Sequence, residues 1–415
     1  MVTPVAPPPP LLTSVLSLGV EAFATVRRAI AEGIADARAA FELTLHPVEH
    51  HGFMVLAGVE PLVDVLERLR VRVEELDWLE TVGAIDGPTR RRLAELRFVC
   101  DVDGVAEGSV VFGGEAVLVV EGPYWQAQLV GGLALAALTD ATLVATRFAR
   151  LVLASRGAVE LVERGSATAH RLGGTPQLAR AAYIGGASAT TNALAGRRYG
   201  IPVSEMSGSA ERIALARGTA RVLPPDEFDE RAALELRDTD PDDEGWSPRE
   251  AAAVAAEGIP GGGARSSYDL ASIEEGGSWS ARMRVGADAG SSSDPGRKLL
   301  VRYFDREGSP VADVAHAMNE RMLRPSGGRY VDRVTGLPGK LAGASSQPLR
   351  TSMMRAGKRA NALEPPLVLR ERAAHSVQSL GEAHKRLASP ARYPVGVTPQ
   401  LAALKAELLA SLTPS

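Results

Sequence analysis

Between residues 124 and 204, long alanine-rich helical stretches alternate with short extended ones, and this alternation constrains the fold more than any other feature of the chain. The run "YWQAQLVGGLALAALTDATLVATRFARLVLA" has the composition of helix and "AVELVE" that of a short buried strand. A second helix leads into "RAAYIGG", and "IPVSEM" is again extended. Strands recurring on either side of helices pair in parallel, because the chain needs a crossover to return to the same edge. The expected product is a set of β/α units around a parallel sheet or barrel, with its chemistry on loops at the carboxyl ends of the strands. After the paired glycines Gly185 and Gly186 comes a hydroxyl cluster, Ser188, Thr190 and Thr191. A helix to Tyr199 and the extended "GIPVS" complete what reads as the floor of an enzyme barrel. Beyond that strand, where a catalytic group is expected, stand only Ser207, Gly208 and Ser209.

The flanking segments read differently. Residues 1–10 form a proline-rich lead-in of polyproline II character. Residues 11–125 mix a helical pattern, "LLTSVLSLGVEAFATVRRAIAEGIADARA", with the strands "AAFELTL" and "GFMVLAG", the amphipathic helix "EPLVDVLERLRVRVEEL" and the strands "AELRFVCDVDG" and "GSVVFGGEAVLVVEGP". This is an α+β layer. Residues 126–290 hold the barrel units, which give way from about 216 to an acidic, proline-broken and glycine-rich insert including "GGGARSSYDLASIEEGG" and "GADAGSSSDPG". Residues 291–415 begin with the strand "RKLLVRYFD", turn at "REGSP" and end in the helix "TPQLAALKAELLASL".

Composition excludes several classes. With 415 residues, 45% of them hydrophobic, the chain can build two or three real cores. A formal charge of −4 lacks the basic excess of a nucleic-acid or anionic-membrane binder. Apolar runs such as "VGGLALAAL" are shorter than the roughly 20 residues that span a bilayer, and the start has no signal-peptide pattern, so the expected location is cytoplasmic. One cysteine, Cys100, excludes internal disulfides and cysteine-rich zinc sites, and "LRFVCDVDG" makes it a core hydrophobe. "HPVEHH" matches a zinc-protease spacing, but Pro47 and the flanking strands make it a hairpin loop, so no metal is assigned. His170 reads as a surface or helix-cap residue, and "GGGARSS" as a linker without the P-loop lysine. Arg297 and Lys298 of "GRKLL" read as structural, with phosphate contact as the alternative.

Six stretches carry a family resemblance: "FELTL…GFMVLAGVEPLVDVLERLR", "DVDGVAEGSVVFGGEAVLVVEGPYWQAQL", "TLVATRFARLVLA", "RAAYIGGASATTNALAGRRYGIPVS", "PGRKLLVRYFDREGSPVADV" and "YPVGVTPQLAALKAEL". Together they resemble the nicotinate phosphoribosyltransferase family, which joins nicotinate to phosphoribosyl pyrophosphate in NAD salvage. The resemblance implies an α/β class with an N-terminal α+β sandwich completed by C-terminal segments, plus an irregular α/β barrel of the type II phosphoribosyltransferase kind. The family's site usually lies at a dimer interface. Its positions in this chain would be Glu163, Arg164, Arg180, Ser188, Thr190, Asp238 and Asp240, with magnesium and ATP entering only if the family activity is retained.

Several family motifs are altered. The substrate strand L-E-F-G-L-R-R-A corresponds to residues 162–169, where Glu163 and Gly165 survive but Ala167 and Thr168 replace the two arginines. Ser209 stands at the position of the phosphorylated histidine of G-T-x-A-H-S, and a serine cannot act as its nitrogen nucleophile. T-D-L-Y becomes Thr13-Ser14-Val15-Leu16, and E-T-x-L-L-N becomes residues 131–136 of "GGLALA". "LRDTDPDDE", with Asp238, Thr239 and Asp240, is a relic of one acidic loop and "ARSSYDLAS" a trace of another; "GIPGGG" echoes a phosphate loop on a competing alignment. Between Ser209 and Pro295 the chain is shorter than the family, so the barrel is expected to be truncated. Two functions follow: an active transferase with a rebuilt site, or a non-catalytic relative that keeps the scaffold for binding or assembly. The losses favour the second, and no catalytic residue is assigned. The expected partner is a second copy of the chain or an assembly protein, with no nucleic acid and no membrane.

Overall fold

Residues 14–46, 51–155, 161–163, 175–204, 253–254, 266–286 and 292–412 are described by a computed structural model of the protein. The first part comprises α1 (Val20–Ala31), β1 (Arg38–Leu45), β2 (Met54–Val55), α2 (Val59–Arg68), α3 (Val73–Thr81), α4 (Gly87–Ala94), β3 (Asp101–Val105), β4 (Val110–Val111), β5 (Glu115–Pro123), α5 (Tyr124–Leu129) and α6 (Gly131–Ser155). A parallel layer follows, made of β6 (Val162–Glu163), α7 (Thr175–Gly185), β7 (Ala189–Thr190), α8 (Ala193–Tyr199) and β8 (Ala253–Val254). The chain continues through β9 (Ser266–Glu275), β10 (Ser278–Ala281), β11 (Lys298–Phe304), β12 (Pro310–Ala317), β13 (Ser326–Asp332), β14 (Pro338–Ala342), β15 (Ser345–Pro348), β16 (Arg350–Arg355) and β17 (Lys358–Arg359). It ends with α9 (Pro366–Gln378), α10 (Glu382–Lys385), β18 (Val395–Val397) and α11 (Pro399–Leu412).

Two large sheets form the sandwich. One has the order β10-β9-β1-β5-β3-β16-β17, so both late segments pair with the N-terminal strands; the other, β14-β13-β18-β12-β11-β15, comes wholly from the C-terminal part. Completion of the N-terminal layer by C-terminal chain is thus built into the first sheet. A buried ion pair links the sheets, with Lys298 Nζ of β11 2.8 Å from Glu42 Oε2 of β1.

The helix α6 ties the sandwich to the parallel layer. Leu133, Ala134 and Leu138 belong to the sandwich core, whereas Ala145, Phe148 and Leu151 pack with Ala181, Ala182 and Ile184 of α7. Its buried threonines have a use: Thr146 Oγ1 accepts from Val55 N at 2.9 Å and Thr142 Oγ1 from Ala57 N at 3.2 Å, satisfying backbone beside β2. The run Tyr124–Ser155 reaches the length and hydropathy of a membrane span, 1.7 over its apolar window, which the sequence reading placed too short. That window is 61% buried inside the fold, as in a core helix.

Three other expectations change. "SSYDLASIEE" is not loop but β9, whose partner β1 gives it backbone bonds that its serine-rich composition did not announce. Residues 266–281 therefore lie in the sandwich sheet rather than in an irregular insert. "HPVEHH" does not close a hairpin, because β1 pairs with β5 and β9 while β2 pairs with β4; residues 47–50 lie outside the described residues. The amphipathic run after Gly58 is two helices, parted at Leu69–Arg72, where Glu75 accepts from Arg72 N at 2.9 Å and restarts the helix.

Candidate active site

The parallel strands have the order β7-β6-β8, with Val203 bridged to Thr190 beyond β7; among the described residues this sheet does not close into a barrel. Glu163 ends β6 in register with Thr190 of β7 and Val254 of β8. Thr190 Oγ1 donates to Glu163 Oε2 at 2.6 Å and accepts from Asn192 N at 3.0 Å, and both Glu163 and Thr190 are buried. Ser188 Oγ donates to Leu161 O at 3.0 Å. Asn192 then caps α8, accepting from Ala195 N at 2.9 Å. Gly186, at φ 122°, allows the turn from α7 into β7.

Arg180 lies on α7. Its Nη1 and Nη2 donate to Glu107 Oε1 and Oε2 at 2.9 and 2.7 Å, and the guanidinium lies 5.7 Å from the Tyr199 ring centre. Burial works against the Arg180 charge, and the Glu107 carboxylate more than offsets it, so its pKa is raised. Glu107 also accepts from Gly58 N and Glu60 N at the start of α2, so one carboxylate joins α2 to α7. Arg359 of β17 extends the network to Glu60 and Asp64. Burial raises the Glu60 pKa against the pull of Arg359.

The structure brings Glu163 and Thr190 into contact, with Ser188 bonded to Leu161 beside them, and pairs Arg180 with Glu107. Arg164, Ala167, Thr168, His170, Ser209, Asp238, Thr239, Asp240 and "GIPGGG" lie outside the described residues. The trace "SSYDLAS" sits in the sandwich sheet, away from the parallel strands. Lys298 is buried, with Nζ donating to Asp294 O and Gly296 O beside its pair with Glu42, and Arg297 binds Glu121 and covers Trp279; both are structural. A cavity of about 20 Å³ opens between the sandwich sheets, lined by Glu42, Asp269, Asp294, Lys298, Arg333 and Arg350; no residue of β6, β7 or α7 reaches it. Among the described residues no three acidic, histidine or cysteine side chains gather as a metal site. Glu107 was missed by sequence reasoning, since its partner stands 73 residues away.

A two-sheet sandwich assembled from both ends of the chain, with parallel strands and helices between, defines a type II phosphoribosyltransferase-like α/β protein. The human nicotinic acid phosphoribosyltransferase structure superposes with a TM-score of 0.75 at 20% identity, over 94% of this chain and 99% of that one. A nicotinate-nucleotide pyrophosphorylase from Pyrococcus furiosus gives 0.56 at 15% identity, over 88% and 95%. The nicotinate phosphoribosyltransferase N-terminal domain model matches residues 24–139 and the C-terminal domain model residues 297–405. The chain belongs to the nicotinate phosphoribosyltransferase family. It is 36% identical over 180 residues to nicotinate phosphoribosyltransferase pncB1 of Mycobacterium tuberculosis, 43% of this chain and 38% of that relative. To the Bacillus subtilis nicotinate phosphoribosyltransferase it is 35% identical over 177 residues, 42% and 35% of the two.

Proposed function

We infer that this family member keeps the scaffold without the transfer of a phosphoribosyl group to nicotinate, and serves as a binding or assembly protein. The observation that carries the reading is how the candidate polar groups are engaged: Thr190, at a strand end, is bonded to Glu163, and Arg180 of α7 gives both terminal nitrogens to Glu107. A transferase of this kind must anchor phosphates and hold the nicotinate carboxylate as positive charge builds on the ribose. On the family resemblance, Ala167 and Thr168 stand where the family has arginines and Ser209 where it has histidine. Losing one charged partner in a desolvated site costs about 2–5 kcal/mol.

An active enzyme of NAD salvage with a rebuilt site is the second reading, favoured by Glu163, which is kept and buried at a strand end. Magnesium and ATP belong to that reading alone, with Asp238 and Asp240 as the acids available. The test incubates the protein with nicotinate, phosphoribosyl pyrophosphate and magnesium, with and without ATP. No nicotinate mononucleotide and no phospho-enzyme are expected. Robust product that disappears in Glu163→Ala would establish the rebuilt enzyme instead.

A further inference from the structure

We propose that Glu115 holds a proton in a hydrogen bond to Asp313, and that this buried proton latches the N-terminal part of the sandwich to its C-terminal part. Both side chains are fully buried, Glu115 at the start of β5 and Asp313 within β12. Arg302 of β11 stands beside them: its Nε is 2.9 Å from Asp313 Oδ1, its Nη2 2.6 Å from Oδ2, and Nη2 also reaches Val110 O at 3.0 Å. Tyr393 donates to Asp313 Oδ1 at 3.1 Å. On the other carboxyl, Oε2 of Glu115 accepts from Phe112 N at 3.0 Å, while Oε1 is buried without an N–H or O–H donor. Two carboxylates facing one guanidinium would leave a buried negative charge uncompensated. A proton on Glu115 removes that charge and gives Oε1 its partner in Asp313.

The titratable and charged groups facing the pair are Arg302 from β11 and Tyr393 from the segment before β18, with His384 of α10 edge-on to the Tyr393 ring at 5.5 Å. The Phe112 ring stacks on Tyr393 at 3.6 Å and lies 5.4 Å from the Arg302 guanidinium, closing the cluster from water. Burial, and then Asp313, raise the Glu115 pKa well above its ordinary 4.5. The folded state therefore holds a proton that the unfolded chain releases near 4.5. Its stabilisation is complete below that value and is lost as pH rises toward the folded value. The cluster spans residues 110–115 on one side and 302–393 on the other, so the same proton governs how the two parts of the sandwich hold together.

The test is urea unfolding of the full chain across pH, comparing wild type with Glu115→Gln, whose amide can donate to Asp313 without titrating. Relative to the variant, the wild-type folding equilibrium constant should fall about tenfold per pH unit above the unfolded value and below the folded one. Equal pH slopes in the two proteins would overturn the latch. If Glu115→Gln does not fold, infrared spectroscopy of wild type at neutral pH decides. A deuterium-sensitive stretch of a protonated carboxylic acid in the folded protein, lost on unfolding, supports the latch, and its absence refutes it.

Discussion

At the scale of single residues, the Arg180–Glu107 pair shows how a group that reads as substrate-binding can serve architecture. Both side chains are under 5% exposed, and Glu107 additionally receives two backbone N–H groups from the start of α2. Removing one partner leaves a charge buried without compensation, so Arg180→Ala should cost about 3–5 kcal/mol in chemical denaturation. The double substitution to uncharged residues of similar size should recover part of that loss. If Arg180→Ala unfolds like wild type, the pair does not join the layers. Cys100 is the opposite case, a residue whose bland reading holds. Burial, and then Asp101, raise its pKa and leave the thiol protonated, while Gly122 packs so closely that a Cβ there would meet Sγ at 2.5 Å. Native protein should resist iodoacetamide at pH 8 and become alkylated only when unfolded.

At the scale of elements, the join between α6 and α7 positions the loop carrying Ser188 and Thr190. A Cβ on Gly185 would lie 2.2 Å from Ala145 O, so the two helices meet backbone to backbone at that point. Gly185→Ala must push α7 off α6, at a cost of about 1–3 kcal/mol for overpacking. Because Ala187, Ser188 and β7 follow directly, amide hydrogen exchange at Thr190 and Thr191 should quicken in the variant; unchanged protection there would show that β7 is held independently of α7. The helices α1, α2, α6, α7, α8 and α11 and the strands β1–β6 and β11 were legible from apolar spacing, as was the two-glycine turn before the hydroxyls, whereas α4, α9, α10 and β12–β18 were not read out. The strand β9 was not, because serine, tyrosine and aspartate acquire strand geometry from their neighbour β1 rather than from propensity. Nor was the Glu107 contact, since periodicity reports a residue's face and says nothing of a partner on a distant element.

At the scale of the whole molecule, the sandwich built from both chain ends was legible through the family resemblance. A second copy of the chain, the expected partner, needs a surface to dock on, and the alanine-rich start of α6 offers little, since Gly131, Ala134, Leu138 and Ala141 are buried within the chain. Support for association comes from α3. Leu76 and Leu79 are buried on one side of this helix, while Val73 is 63%, Trp78 51% and Val82, just past its end, 51% exposed. Trp78 and Val82 stand one turn apart, an exposed apolar pair on a helix otherwise lined by Glu74, Asp77 and Glu80. We propose that a second copy of the chain covers this face, in keeping with the symmetric pairing usual for soluble oligomers. Light scattering at micromolar concentration should then give at least twice the 43.6 kDa of the chain. Trp78→Glu, which puts a charge on a half-exposed position of this face, should return the protein to monomer at the same concentration. A wild-type monomer would remove the assembly reading, and a dimer indifferent to Trp78→Glu would place its interface elsewhere.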